Sequence, residues 1–88
     1  MEYAEGMVVR SIAGRDAGGW FVVMQVENGF CHIADGRRRS IAVPKKKNPL
    51  HLRKTSYTLD LAQIGSDRQL KRLLAQLGPD TGESEDGR

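Results

Sequence analysis

The sequence predicts a mainly β domain: a small barrel of about five strands with one amphipathic helix towards the C-terminal side. Three observations carry this expectation. Short runs rich in β-branched and aromatic residues alternate with glycine, asparagine and proline turns. An Asn-Gly pair, Asn28–Gly29, falls between two of those runs. A single leucine stripe at helical spacing comes only after the last of them. At 88 residues the chain is one domain at most, and short strands closed on themselves leave no sheet edge exposed.

Taken in order, residues 1–5 read as a flexible lead-in. "GMVVRSIAG" (6–14) reads as a strand ending in glycine, and "WFVVMQVE" (20–27) as a second. Asn28–Gly29 then closes a hairpin, because both central positions of a type I′ turn need positive φ. "FCHIAD" (30–35) is the third strand. A two-residue turn fixes register, so Glu27 pairs with Phe30, Val26 with Cys31, Gln25 with His32 and Met24 with Ile33. Alternation then puts Val22, Met24, Val26, Cys31 and Ile33 on one core-facing side, with Gln25, Glu27, Phe30 and His32 on the other. Asp35–Gly36 signals another turn, "SIAVP" (40–44) a short strand stopped by Pro44, and "KKKNP" (45–49) a loop. At least one more strand lies in "LHLRKTSYTLDL" (50–61). The helix spans 66–77: Ser66 and Gln69 fit a capping box, Leu70, Leu73, Leu74 and Leu77 make one stripe, and Gly78–Pro79 end it. Residues 78–88 carry no aliphatic or aromatic side chain beyond the ring of Pro79 and read as a disordered acidic tail.

Composition narrows the function. No run of about 18 apolar residues is present, so no membrane span is expected. The N-terminus lacks the basic and apolar regions of a signal peptide, and the single cysteine excludes an internal disulfide framework. A reducing cytoplasm suits such a chain. The net charge of +3 divides unevenly, +6 over residues 1–77 and −3 over 78–88. A basic body with an acidic tail points to a polyanion as partner.

Two features locate the contact. In "AGRDAGGW" (13–20) Gly14, Gly18 and Gly19 permit the reversal between strands, but Arg15 and Asp16 are not required by the turn. Such a tip exposes N–H groups that suit a phosphate, with Arg15 adding charge; the bland reading is a connector with solvated charges. Between residues 37 and 54 stand eight cations and no acid: Arg37, Arg38, Arg39, Lys45, Lys46, Lys47, Arg53 and Lys54. Lysines do blunt strand edges. Eight uncompensated cations nevertheless repel one another, and phosphates would neutralise that repulsion.

"GMVVRSIAGRDAGGWFVVMQV" resembles a KOW motif, the strand–loop–strand signature of RNA-binding SH3-like barrels. With "IADGRRRSIAVPKKKNPLHL", the chain resembles small KOW-domain RNA-binding proteins related to the fourteenth large-subunit ribosomal protein of archaea and eukaryotes. The similarity covers about residues 6–54. It implies an SH3-like barrel that binds ribosomal RNA or the ribosome. In that pattern the glycine at Gly18 is the hallmark, Arg15 matches an RNA-facing loop residue, and the basic stretch maps onto Lys45, Lys46 and Lys47; Ala17 stands where relatives usually carry lysine. The RNA-binding candidates are therefore Arg15, Gly18, Arg37, Arg38, Arg39, Lys45, Lys46 and Lys47, with Arg53 and Lys54 second. The expected partner is structured RNA, bound by a protein that is monomeric when free; the rival reading is an SH3-like protein-interaction module.

Other chemistry finds little footing. His32, His51 and Cys31 have no metal-ligand spacing, so no metal is expected. Cys31 should be a small core hydrophobe with His32 on the opposite face, and Asp35 has a sufficient role at its turn, so no catalytic residue and no cofactor is expected. The two histidines contact RNA or are simply exposed. Trp20 shares the side of Val22; Phe21 packs in the core or stacks on a base, with the core favoured; Tyr57 suits RNA stacking and a closing strand equally. The leucine stripe packs on the barrel rather than on another protein. The acidic tail is suited to shield the basic face when RNA is absent. Deleting residues 79–88 should then tighten RNA binding at low salt, and an unchanged dissociation constant would dismiss the shielding.

Overall fold

Asn28 and Gly29 take φ of 52° and 81°, and the hairpin they close organises a five-stranded antiparallel sheet. The computed structural model describes residues 3–77. The strands are β1 (Met7–Ser11), β2 (Trp20–Glu27), β3 (Phe30–Ala34), β4 (Lys45–Lys47) and β5 (Leu52–Thr58), in the order β4-β3-β2-β1-β5. One helix, α1 (Asp67–Gln76), follows, and single 3-10 turns cover Pro49–His51 and Leu61–Gln63. The chain is thus mainly β with one helix, as expected, but the sheet does not close. β4 and β5 are its two edges and share no ladder.

Two local expectations are corrected. The fourth strand is not 40–44 but Lys45–Lys47, whose residues pair with Ile33, His32 and Cys31. The preceding stretch is drawn off the sheet: Ile41 N–H donates to Asp67 Oδ1 at 2.7 Å and Val43 N–H to Ser40 Oγ at 3.0 Å. Pro44, which has no N–H to give a ladder, precedes the strand instead of stopping it. The β2–β3 register holds as far as Gln25–His32, but then Val23, not Met24, pairs with Ile33. Met24 is the extra residue of a bulge. Past it the alternation inverts, and the single apolar side expected for Val22, Met24, Val26, Cys31 and Ile33 splits in two.

Both faces of the sheet are therefore apolar. On one, Val9, Phe21, Val23, Cys31, Ile33 and Leu52 form a core edged by Tyr3, Met7 and Val26. Phe21 is 2% exposed, so it is core and not free to stack. Tyr3 donates its hydroxyl to the Leu52 carbonyl at 3.1 Å, so the described part of the lead-in is tied down. Burial pushes the Cys31 thiol pKa up, which suits an inert core thiol. On the other face Val8, Val22 and Ala34 meet Leu70 and Leu74 of α1, with Trp20, Met24 and Leu77 alongside. The helix starts where the capping signal sits. Ser66 Oγ accepts from Gln69 N–H at 3.1 Å, while Gln69 Oε1 accepts from Gly65 N–H at 2.9 Å, one residue before the expected partner. The acidic tail at 78–88 and residues 1–2 of the lead-in lie outside the described residues. Among the described residues no helix is long and apolar enough to cross a membrane.

The helix docks on the Asp35–Arg39 turn through Gly36, which has φ +79° and whose missing Cβ would collide with the Asp67 backbone carbonyl. Replacing Gly36 by alanine should cost about 2–4 kcal/mol, from strained φ plus the collision. Gly29 has a similar φ of +81° but open space around it, so Gly29→Ala should cost only about 1–2 kcal/mol. Equal shifts of the two denaturation midpoints would contradict this docking.

Candidate nucleic-acid interface

The β1–β2 loop, the Asp35–Arg39 turn and β4 meet at one carboxylate. Asp16 has a side chain only 2% exposed. Its Oδ1 lies 3.4 Å from Arg39 Nε and its Oδ2 3.4 Å from Arg39 Nη2. Lys47 Nζ lies 3.7 Å from Oδ2 and donates to the Ala13 carbonyl at 2.9 Å. Arg38 Nη1 also reaches the Arg15 carbonyl, at 3.3 Å. Members of the arginine triplet (Arg38, Arg39) and of the lysine triplet (Lys47) thus meet the glycine-hinged tip, whereas Lys46, opposite His32, faces the other side of the sheet from Lys45 and Lys47.

Convergence divides the sequence candidates by role. Lys47 is 7% exposed, and it and Arg39 are held by Asp16. Both candidates therefore have a role inside the fold, and for Lys47 it follows from burial, since a buried ammonium needs its charge and its N–H groups matched there. Arg15, Arg37, Arg38 and Lys46 are exposed and Lys45 is half-buried. Among the described residues no carboxylate lies within ion-pair distance of any of these five. Lys46 Nζ sits 4.5 Å from the centre of the Phe30 ring, which orients it without neutralising it.

The tip is partly closed by its own hydrogen bonds. Three of its N–H groups are used inside the loop: Ala17 N–H donates to Gly14, Gly18 N–H to Ser11 and Gly19 N–H to Asp16, at 3.2, 2.7 and 3.0 Å. The Gly18 and Gly19 amides are therefore not part of an anion cradle, and the exposed Arg15 is the tip's charged group. Gly18 takes φ +90° with nothing within 4 Å of where a Cβ would stand. Gly19 does not take positive φ; it is small because a Cβ there would press on the Phe21 ring at 2.9 Å. Two shallow cavities of about 230 Å³ each share Gly19, Asp35 and Arg37. One adds Ala17 and Arg38, the other Gly18, Trp20 and Lys71 of α1. Asp35 shapes the turn by accepting from Arg37 N–H and Arg39 N–H at 2.8 and 3.0 Å.

Arg53 and Lys54 are not gathered with the triplets. They lie on β5, the edge strand opposite β4. Lys54 Nζ sits 5.6 Å from the Tyr3 ring centre, and Arg53 stands directly across from Arg10. Sequence reasoning missed Arg10 and Lys71 as members of the basic surface. The available signal was that Arg10 breaks the apolar run Met7–Val9 in a strand whose neighbours are buried. His32 lies 3.6 Å from Glu27 and His51 is exposed. Among the described residues no cluster of three His, Cys, Asp or Glu is placed to hold a metal ion. No protein-family model matches the sequence, and no curated protein matches it with significance.

The Asp16 junction is the part of this arrangement that stability measurements can reach. Asp16→Ala leaves a buried lysine and a half-buried arginine unmatched and should lower stability by about 3 kcal/mol. Adding Lys47→Met should return most of that loss, because the stranded charge is removed. An Asp16→Ala variant that unfolds at the wild-type denaturant concentration would refute the junction.

Proposed function

We propose that this protein binds structured RNA, ribosomal RNA in particular, and that it does so by positioning and charge neutralisation without a chemical step. The observation that carries the reading is the convergence just described. Five cations, Arg15, Arg37, Arg38, Lys45 and Lys46, belong to three chain segments that meet at one buried carboxylate engaged by Arg39 and Lys47, and among the described residues none of the five has a carboxylate within ion-pair distance. Like charges on adjoining segments without acids of their own favour a polyanion. The small cavities beside Arg37 and Arg38 suit a backbone lying across a surface better than a small molecule held inside.

The finer fold reading belongs to the same proposal. An SH3-like domain with a KOW motif accounts for the β1–loop–β2 unit over residues 7–27, with a positive-φ glycine at Gly18. The likeness of "GRDAG", "IADG" and "PKKKN" to the ribosomal-protein-fourteen relatives supports ribosomal RNA over other polyanions.

A protein-interaction role has one observation in its favour. Ile12, Pro49 and Leu50 line an open groove with Tyr3, Leu52 and the cations of β5, and Leu50 is 83% exposed. An acidic peptide with apolar side chains would fit that chemistry.

One salt series separates the two. Binding to structured ribosomal RNA should weaken with a log–log salt slope of about −3.5 to −4.5, as five neutralised phosphates require. Arg37→Glu with Arg38→Glu should weaken it at least about tenfold and leave the folded fraction unchanged. RNA affinity indifferent to salt and to that double substitution, beside a protein partner retained at high salt, would replace this reading by the second.

A further inference from the structure

Arg10 is the Cα partner of Trp20 on β2 and of Arg53 on β5. Residues directly opposite across antiparallel strands share a face, so Trp20, Arg10 and Arg53 form a row across three strands. Two arginines facing each other in this way repel. Both are exposed, and among the described residues neither has a carboxylate within ion-pair distance or lies over an aromatic ring. The repulsion is left unrelieved among the described residues.

The fourth member of the group arrives through a distortion of β5. Between the pairs Val9–Lys54 and Met7–Thr58, β5 advances four residues while β1 advances two. Thr55 Oγ1 donates to the Val8 carbonyl at 2.7 Å and accepts from Tyr57 N–H at 3.2 Å, so a side chain replaces the ladder there. Bulges of this kind re-aim side chains. Tyr57 is brought against Trp20, ring centres 5.9 Å apart and planes 41° from parallel. Tyr57 remains 41% exposed, and its hydroxyl has no hydrogen-bond partner among the described residues. A tyrosine needed only to cover the core would not have to stand this open against a tryptophan that is itself opposite Arg10. Trp20 also lines the cavity that holds Gly18, Arg37 and Lys71, so the row continues directly from the basic interface.

We propose that Tyr57, Trp20, Arg10 and Arg53 form a platform for an unpaired nucleotide stretch, with a base stacked on the exposed Tyr57 ring and the adjoining phosphates on the two arginines. Base-on-aromatic stacking with cations tracking the backbone is how single strands are held without sequence readout. Duplex RNA hides its base faces and cannot use the ring. The inference rests on the RNA-binding reading and deepens it: the structured RNA must bring an unpaired segment to this side of the sheet.

Trp20 is the chain's one tryptophan, and it lines both the platform and the neighbouring cavity, so its emission is read together with the Tyr57 variants. The full chain is titrated with a short oligouridylate and with an RNA duplex of equal length. Oligouridylate should quench Trp20 saturably and in a Tyr57-dependent way, and duplex binding should not depend on Tyr57. Tyr57→Ala should weaken oligouridylate binding about fivefold or more, with Tyr57→Phe near wild type. Arg10→Gln with Arg53→Gln should reduce the salt slope by about 1.4, two single-strand phosphates' worth. If Tyr57→Ala melts early, this exposed arginine pair carries the test. Unchanged Trp20 emission on saturation, or variants that bind as wild type, would overturn the platform. Duplex binding that depends on Arg37 and Arg38 while oligouridylate is ignored would overturn it and leave the wider interface standing; binding of neither RNA would overturn both.

Discussion

The Asp16 carboxylate lies 3.4 Å from the Arg39 guanidinium and 3.7 Å from Lys47 Nζ, and three separate chain segments meet because of it. Without it, a buried lysine and a half-buried arginine would face each other across a loop that has no other acid. A single acid under a group of cations does two things at once. It offsets enough repulsion for the segments to come together, and it leaves the outer members, Arg15, Arg37, Arg38, Lys45 and Lys46, without acids of their own. A second carboxylate in that place would neutralise the surface; none would let the loop, the turn and β4 drift apart. The charge balance at this junction therefore decides both the shape of the basic side and its capacity for an external anion.

The rest of the architecture serves to bring these segments within reach. The Met24 bulge gives β2 apolar residues on both sides of the sheet, so one face receives α1 and the other builds a core around Phe21, Cys31 and Ile33. Phe21 in turn requires a glycine at position 19, which sets the path of the loop as it enters β2. Core and interface are not independent layers here: the ring that fills the interior also limits what the loop above it can be.

Much of this was legible wherever the signal is local. Asn28–Gly29, the Ser66 cap, the stripe of Leu70 and Leu74 and the burial of Cys31 all depend on residues near one another in the chain, and each is found as read. The bulge was not legible, because "WFVVM" is apolar at every position and suits either phase of alternation. β4 was hidden for the opposite reason. Lysine is a poor strand former, and only the tertiary position of Asp16 explains why Lys47 is taken into the fold. Within the basic surface, charge alone could gather eight candidates but could not rank them. Whether a cation is spent internally or faces outward depends on contacts such as Arg39–Asp16, 23 residues apart, and Arg10 opposite Arg53 depends on a register between distant strands.

The contact of Gly36 with the Asp67 carbonyl, together with the bond from Ile41 N–H to Asp67 Oδ1, fixes the start of the helix to both flanks of the arginine turn. The turn is thereby not a free hairpin tip. Its backbone entropy has already been surrendered when the domain folds, and a partner that engages Arg37 and Arg38 meets a surface preorganised by a helix it need never touch.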